Sequence, residues 1–163
     1  MSTREFFIKK WEGEQPAFGR VLRALPPDQL SYTPHERSTC AGDLAWQLAE
    51  EQRALKDMVD TGEINWESRP RPATLDEIVA AWDSATEDVR QRLNALDETK
   101  WGDGEVKFLM GGQVLGTGTI NEHFWGFLFD MVHHRGQLSS YLRPMGGKVP
   151  SIYGPSADDS GGM

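Results

Sequence analysis

The capping box, a Ser or Thr followed three residues later by Glu, is the feature that most constrains how this chain can fold. In such a box the hydroxyl accepts a hydrogen bond from the backbone of the new helix, and the Glu side chain reaches back to the first residue. The pattern precedes three segments with apolar residues at helical spacing, at Ser2 and Glu5, at Thr74 and Glu77, and at Thr119 and Glu122. The sequence therefore predicts a helix beginning at each box.

Apolar residues recur three and four positions apart in four segments, which is the spacing of one helix face. These segments predict helices over residues 3–25, 40–60, 74–97 and 119–142. Pro16 removes a backbone donor from the first helix and predicts a kink or a break there. Gly62 is suited to the left-handed conformation that ends a helix, here the second one. The fourth segment is apolar around most of its circumference, which predicts a buried helix.

A β-hairpin is predicted just before the fourth helix. Residues 106–110 and 113–115 are short apolar-rich runs that flank Gly111 and Gly112. Glycine tolerates the positive φ angles of a tight hairpin turn, so two such residues between two such runs favour a hairpin. Together the segments predict an all-α fold, a four-helix bundle with a small β-hairpin insertion before the fourth helix.

Length and charge exclude several classes of protein. The chain has 163 residues, a length that predicts one globular domain over residues 1–155 with a flexible tail over residues 156–163. Its formal net charge is −8. Negative charge opposes contact with phosphate backbones, so direct nucleic-acid binding is not expected. No apolar run approaches the ~20 residues that span a bilayer, and the N-terminal residues lack a signal-peptide pattern. A cytoplasmic protein without membrane contact is therefore expected. The single cysteine, Cys40, excludes an internal disulfide and a multi-cysteine zinc site.

Four polar residues occupy or border apolar stripes. Gln47 and Glu51 are four residues apart in the second predicted helix, and Asp130 and His134 have the same spacing in the fourth. Residues at this spacing share one helix face. A carboxylate and an imidazole placed in this way can hold a divalent metal together. Two alternatives stay open, namely that the stripe ends before Gln47 and Glu51 and leaves both half-exposed, and that Asp130 and His134 form a hydrogen-bonded pair without metal.

Further side chains are predicted to line a pocket beside these four residues. They are Trp46 next to Gln47, and His123, Phe127 and Tyr141 on the fourth predicted helix. Arg135 follows the polar pair directly. It is interpreted either as an attractor for an anionic substrate or as a surface or salt-bridge residue.

Several short runs resemble the DinB-like superfamily, which comprises small damage-inducible-type helical proteins. The most specific is the HHRGQL run at residues 133–138, followed by Tyr141, Leu142 and Arg143. Residues 43–51 are similar to the second helix of that family, and residues 32–34 are similar to the loop that precedes it. The run at residues 149–154 resembles one branch of the family. The likeness covers nearly the whole chain.

The resemblance implies a four-helix bundle that is often a homodimer and that holds nickel, zinc or iron through three histidines. It also implies, for some relatives, metal-dependent S-transferase or isomerase activity with bacillithiol or mycothiol. In this sequence Gln47 and Asp130 stand at two of the three histidine positions, and only His134 is retained. A set of Gln47, Asp130, His134 and Glu51 would offer one nitrogen and several oxygen ligands. Two functions follow as alternatives: a metal-dependent enzyme acting on a small-molecule thiol, or a non-catalytic dimeric stress-response or binding module with a degenerate site.

Overall fold

The architecture comes from a computed structural model that describes residues 1–161. This part of the chain is mostly helical, with five α-helices and one small sheet. The helices are α1 (Thr3–Arg23), α2 (Ala41–Thr61), α3 (Leu75–Ala95), α4 (Glu98–Asp103) and α5 (Ile120–Leu142), and the strands are β1 (Glu63–Asn65), β2 (Glu105–Met110) and β3 (Gln113–Thr119). A short 3₁₀ helix covers Pro27–Gln29. The fourth helix expected from the sequence is α5.

Local sequence sets the ends of the long helices. The capping boxes at Ser2, Thr74 and Thr119 all form, with both reciprocal hydrogen bonds present in each. Gly62 follows α2 with φ of 75°, and its N–H donates to the carbonyl of Met58. Each helix end thereby satisfies backbone groups that have no partner inside the helix. The three predicted helix starts and the predicted left-handed stop are confirmed.

Of the kink or break predicted at Pro16, the break is wrong, because α1 runs without interruption from Thr3 to Arg23. Pro16 is exposed, so the carbonyl of Glu12, which loses its helical donor, can bond to water instead. Trp11 and Phe18 lie on either side of the proline and are completely buried. Their packing holds both halves of the helix against the same core.

The sheet contains the predicted hairpin and one strand that was not predicted. Strands β2 and β3 pair antiparallel around Gly111 and Gly112, whose φ angles are 57° and 76°. Strand β1 pairs parallel to β2. It has only three residues, of which Ile64 alone is buried, and so it carries no alternating pattern. Helix α4 was also missed, since six residues are too few to show helical periodicity.

The core lies between the four long helices. Helix α2 contacts α3 and α5, and α1 contacts the same two helices. Phe7 of α1 packs against Trp101, Phe124 and Trp125, with ring centroids 4.9–5.2 Å apart. No helix within residues 1–161 has the length and apolarity needed to cross a membrane.

Helix α5 is less buried than its composition predicted. Phe124, Leu128 and Met131 face the core, whereas Phe129 is 65% exposed and Asp130 is exposed beside it. A face of α5 is therefore left open, although aromatic residues occupy part of it. This open face determines what lies next to the polar residues of α5.

The segment after α5 folds back on the helices. Tyr153 donates a hydrogen bond to Glu14, and Asp158 accepts from the backbone N–H of Val149 and from Arg143. The tail expected at residues 156–163 lies partly outside the described residues, since these end at residue 161.

Candidate metal centre

Helices α2 and α5 bring the four predicted polar residues to one place. Glu51, Asp130 and His134 each offer a ligand atom, and the three atoms lie within 4.8 Å of one another. The Nε2 atom of His134 is 3.5 Å from Oε1 of Glu51 and 3.5 Å from Oδ1 of Asp130. Gln47 completes the cluster, because its amide nitrogen lies 3.0 Å from Oε1 of Glu51 and 2.7 Å from Nε2 of His134.

Glu51 is the buried end of this cluster. Its side chain has no solvent exposure, and its Oε2 atom has no hydrogen-bond partner among the described residues. Burial, together with the negative charge of Asp130, raises the pKa of Glu51 to about 8, although a hydrogen bond from Gln47 opposes the change. Without a cation beside it, Glu51 is therefore mostly protonated at neutral pH. The alternative that the apolar stripe ends before this residue is wrong for Glu51.

His134 presents one ring nitrogen to the cluster. Its other nitrogen, Nδ1, lies 2.9 Å from Oε1 of Gln137, an acceptor, so the Nδ1–H donates there. The lone pair of Nε2 then points toward Glu51 and Asp130, and the amide of Gln47 donates to it. Outer hydrogen bonds of this kind fix the tautomer of metal-binding histidines. Gln137 was not singled out in the sequence, although its position three residues after His134 on the same helix face was a usable signal.

Asp130 forms the outer edge of the cluster. Its side chain is 53% exposed, against 13% for His134. The cluster therefore runs from a fully buried carboxyl to a carboxylate in contact with water. Three acceptor atoms from two carboxyls and an imidazole converge there, and the described residues place no Lys or Arg within salt-bridge distance of them. A divalent cation would supply the missing positive charge beside the buried carboxyl of Glu51.

The predicted pocket residues separate into three groups. His123 and Phe127 line an open cleft of ≈ 740 Å³, together with Gln47 and Asp130. Trp46 instead lines a neighbouring cleft of ≈ 430 Å³, because consecutive helix positions point about 100° apart.

Tyr141 is not among the residues that line either cleft beside the cluster. It is seven residues beyond His134, which is about 10 Å along the helix axis. Its ring packs on Tyr32, and its hydroxyl donates to the carbonyl of Thr39. The prediction that Tyr141 lines the pocket is not supported by this placement.

Two further residues matter at this site. Trp66 lines both clefts, and its backbone N–H donates to the carbonyl of Leu109, which fixes it to the end of the sheet. It lies in an irregular segment, so the sequence held no signal for it.

Arg135 is only 2% exposed and donates to Glu14 and Tyr153 at 2.5 Å each. Of the two interpretations of Arg135, the structure therefore supports a salt-bridge residue, because its guanidinium pairs with Glu14 inside the fold.

The fold and this polar cluster define a class: small helical proteins with a candidate metal site between two long helices. A family model described as the DinB family matches residues 1–161, and the chain belongs to that family. It is also 26% identical to the uncharacterized protein YrdA of Bacillus subtilis (strain 168) over 160 residues, which cover 96% of this chain and 92% of YrdA.

Two solved structures share the fold. A DinB-like protein from Bacillus cereus ATCC 10987 has a TM-score of 0.74 and 18% identity, covering 91% of this chain and 97% of that one. A DinB-like protein of Bacillus subtilis, YjoA, has a TM-score of 0.70 and 17% identity, covering 94% and 98% respectively. These likenesses establish the fold of the chain.

Proposed function

We propose that this DinB-family protein binds a divalent metal ion, nickel, zinc or iron, through Glu51, Asp130 and His134, with Gln47 completing the site. The observation that carries the proposal is Glu51, a carboxyl with no solvent exposure and one oxygen without a hydrogen bond. A carboxyl in that position needs either a proton or a cation. The neighbouring imidazole and carboxylate make the cation chemically reasonable, because all three groups are common metal ligands.

Each residue has a distinct part in this proposal. His134 supplies the nitrogen ligand, held in the required tautomer by Gln137. Glu51 gives up its proton when a cation binds, so binding is favoured as the pH rises. Asp130 contributes charge from the exposed side. Gln47 presents its amide nitrogen to the cluster, and a turn of the amide plane exchanges that nitrogen for the oxygen that ligates metals.

The finer proposal is a metal-dependent S-transferase or isomerase that uses a small-molecule thiol. A bound divalent cation would lower the pKa of a coordinated thiol and so supply a thiolate at neutral pH. The open cleft beside Gln47 and Asp130 supports this proposal, because substrates need a path to the site.

The second candidate function is a non-catalytic binding or stress-response module. It is favoured by the amide of Gln47, which bonds to both Glu51 and His134 and forms a network without any metal. Against it, no hydrogen bond joins Gln47 to Asp130 among the described residues, and a cleft lies beside both side chains. A closed polar network would instead have a direct hydrogen bond between Gln47 and Asp130 and no cleft beside them.

The fold and assembly proposed with this function are a four-helix bundle and a homodimer. The bundle is supported by the ring of contacts in which α1, α3, α2 and α5 each touch the next and α5 touches α1. The homodimer is supported by Phe6, an exposed aromatic residue of α1 whose ring lies 6.2 Å from that of Trp125 on α5. Light scattering of the purified protein tests the homodimer.

Elemental analysis of untagged protein tests the metal site, since a polyhistidine tag binds the same ions. Wild-type protein should carry metal in a near-equimolar amount, and Asp130→Ala and His134→Ala should carry little. His133→Ala is the matched control, because His133 is the adjacent histidine and is not part of the donor cluster. Wild-type protein without bound metal, and without a rise in melting temperature on addition of nickel, zinc or iron(II), would rule out the proposal and leave the non-catalytic module.

A further inference from the structure

The cleft beside the cluster has the size and character of a small-molecule site. Its volume is ≈ 740 Å³, which falls within the range of about 300–1,000 Å³ typical of such sites. Gln47 and Asp130 lie on its lining and connect it to the donor cluster. Large apolar side chains form most of the rest, namely Trp66, Phe108, Met110, Phe127 and Phe129.

Different parts of the fold supply these apolar walls. Phe108 and Met110 are on β2 of the hairpin, and Phe127 is on α5. Trp66 follows β1, and its ring centroid is 6.0 Å from that of Phe127. Because Trp66 is held to the sheet by a backbone hydrogen bond to Leu109, the aromatic wall is part of the folded framework.

Gly126 keeps the cleft open on the side of α5. It lines the cleft in the interior of a 23-residue helix, where glycine lowers helix stability relative to alanine. Packing does not require glycine there, because a Cβ atom built on Gly126 meets nothing within 4 Å. Gly126 is one turn before Asp130, so a larger side chain there would project into the cleft next to the donor cluster.

We propose that this cleft binds a small uncharged molecule with a broad apolar part, aromatic in size and shape, whose polar end reaches Gln47 and Asp130. This molecule would be the substrate of the proposed metal site, and that role rests on the proposed function. That a molecule binds in the cleft is argued only from the volume and lining of the cleft, and it does not depend on the metal site. The described lining includes Glu122 and Asp130 but no Lys or Arg, so it disfavours a negatively charged ligand.

Binding of 2-naphthol to the full chain, measured by calorimetry or ligand-observed NMR, tests the proposal. The probe is uncharged at neutral pH and has two fused rings and one hydroxyl. A dissociation constant on the order of 0.1–1 mM is expected for a ligand of this size. Gly126→Leu should weaken binding about tenfold or more, because it fills the space that the rings would occupy.

Gly136→Leu is the matched control. Gly136 is also an exposed glycine of α5 with nothing within 4 Å of a built Cβ, and it does not line the cleft. This variant should bind 2-naphthol like the wild type. Equal binding by the Gly126→Leu and Gly136→Leu variants, or no saturable binding by the wild type, would overturn the proposal. So would dissociation of a dimer in Gly126→Leu alone, since the cleft would then be filled by a second copy of the chain.

Metal content measured on the same samples separates this proposal from the preceding one. Saturable binding that Gly126→Leu abolishes in protein without metal would support the cleft and remove the metal site. Bound metal with no binding of 2-naphthol would support the metal site and overturn the cleft proposal. The Gly126→Leu variant should keep the metal content of the wild type, because Gly126 offers no ligand atom.

Discussion

Replacing Glu51 by Gln should stabilise the metal-free protein, and the gain should grow with pH. Burial and the charge of Asp130 raise the pKa of Glu51 from 4.5 to about 8. Below pH 4.5 the carboxyl is protonated in both the folded and the unfolded chain, and it does not make stability depend on pH. Between the two values only the unfolded chain releases the proton, so the free energy of unfolding falls as the pH rises.

The size of this effect follows from the pKa. The loss of stability is about 1.4 kcal/mol for each pH unit, which gives about 3 kcal/mol at pH 7 and about 5 kcal/mol above pH 8. Glutamine has the same shape and no charge, so Glu51→Gln should show no such loss. The variant should match the wild type near pH 4.5 and exceed it by about 3 kcal/mol at pH 7. Urea unfolding followed by circular dichroism in EDTA, at pH 5, 6 and 7, measures the difference.

Glu50→Gln is the matched control, because Glu50 is the adjacent carboxylate and is also buried. Burial alone would raise the pKa of Glu50, but hydrogen bonds from Arg69 and Arg53 outweigh it and leave the pKa lowered. The stability that Glu50 contributes is present at neutral pH and is lost as the pH falls through its lowered pKa. Glu50→Gln should therefore destabilise the protein at pH 7, the opposite sign. A Glu51→Gln difference that stays constant from pH 5 to pH 7 would refute the reasoning.

Four further substitutions test the fold. Glu14→Leu should cost about 3 kcal/mol in urea unfolding, because it leaves the buried guanidinium of Arg135 without its carboxylate, and a cost below 1 kcal/mol would contradict the role given to this pair. Gly13→Ala should stabilise by about 0.5–1 kcal/mol, since the site is helical with nothing near a built Cβ, whereas Gly62→Ala should destabilise by about 1–2 kcal/mol at its φ of 75°. Equal shifts in melting temperature for these two would refute the assignment of their backbone conformations. Thr74→Ala should lower stability by about 1 kcal/mol through loss of the cap of α3, and an unchanged urea midpoint would show that this capping box contributes nothing.

The elements that were predictable from the sequence are those fixed by neighbouring residues. The capping boxes, the stop at Gly62 and the turn at Gly111 and Gly112 depend on bonds within a few positions of the chain. Strand β1 could not be predicted, because its pairing with β2 joins Glu63 to Lys107, which is far away in the chain. The break predicted at Pro16 does not occur for a related reason, since Trp11 and Phe18 on either side of the proline are buried against the same tertiary core.

The candidate site divides in the same way. The sequence by itself determined that Gln47 and Glu51 share one helix face and that Asp130 and His134 share another, because spacing along a helix is local geometry. Only the tertiary structure decided that the two faces meet, that Glu51 is wholly buried and that Tyr141 is not among the residues that line the cleft. The charge of Glu51 depends on neighbours that desolvate it and on Asp130 across the helix interface. Those neighbours come from distant parts of the chain. No local pattern could therefore show whether this carboxyl is protonated or binds a metal ion.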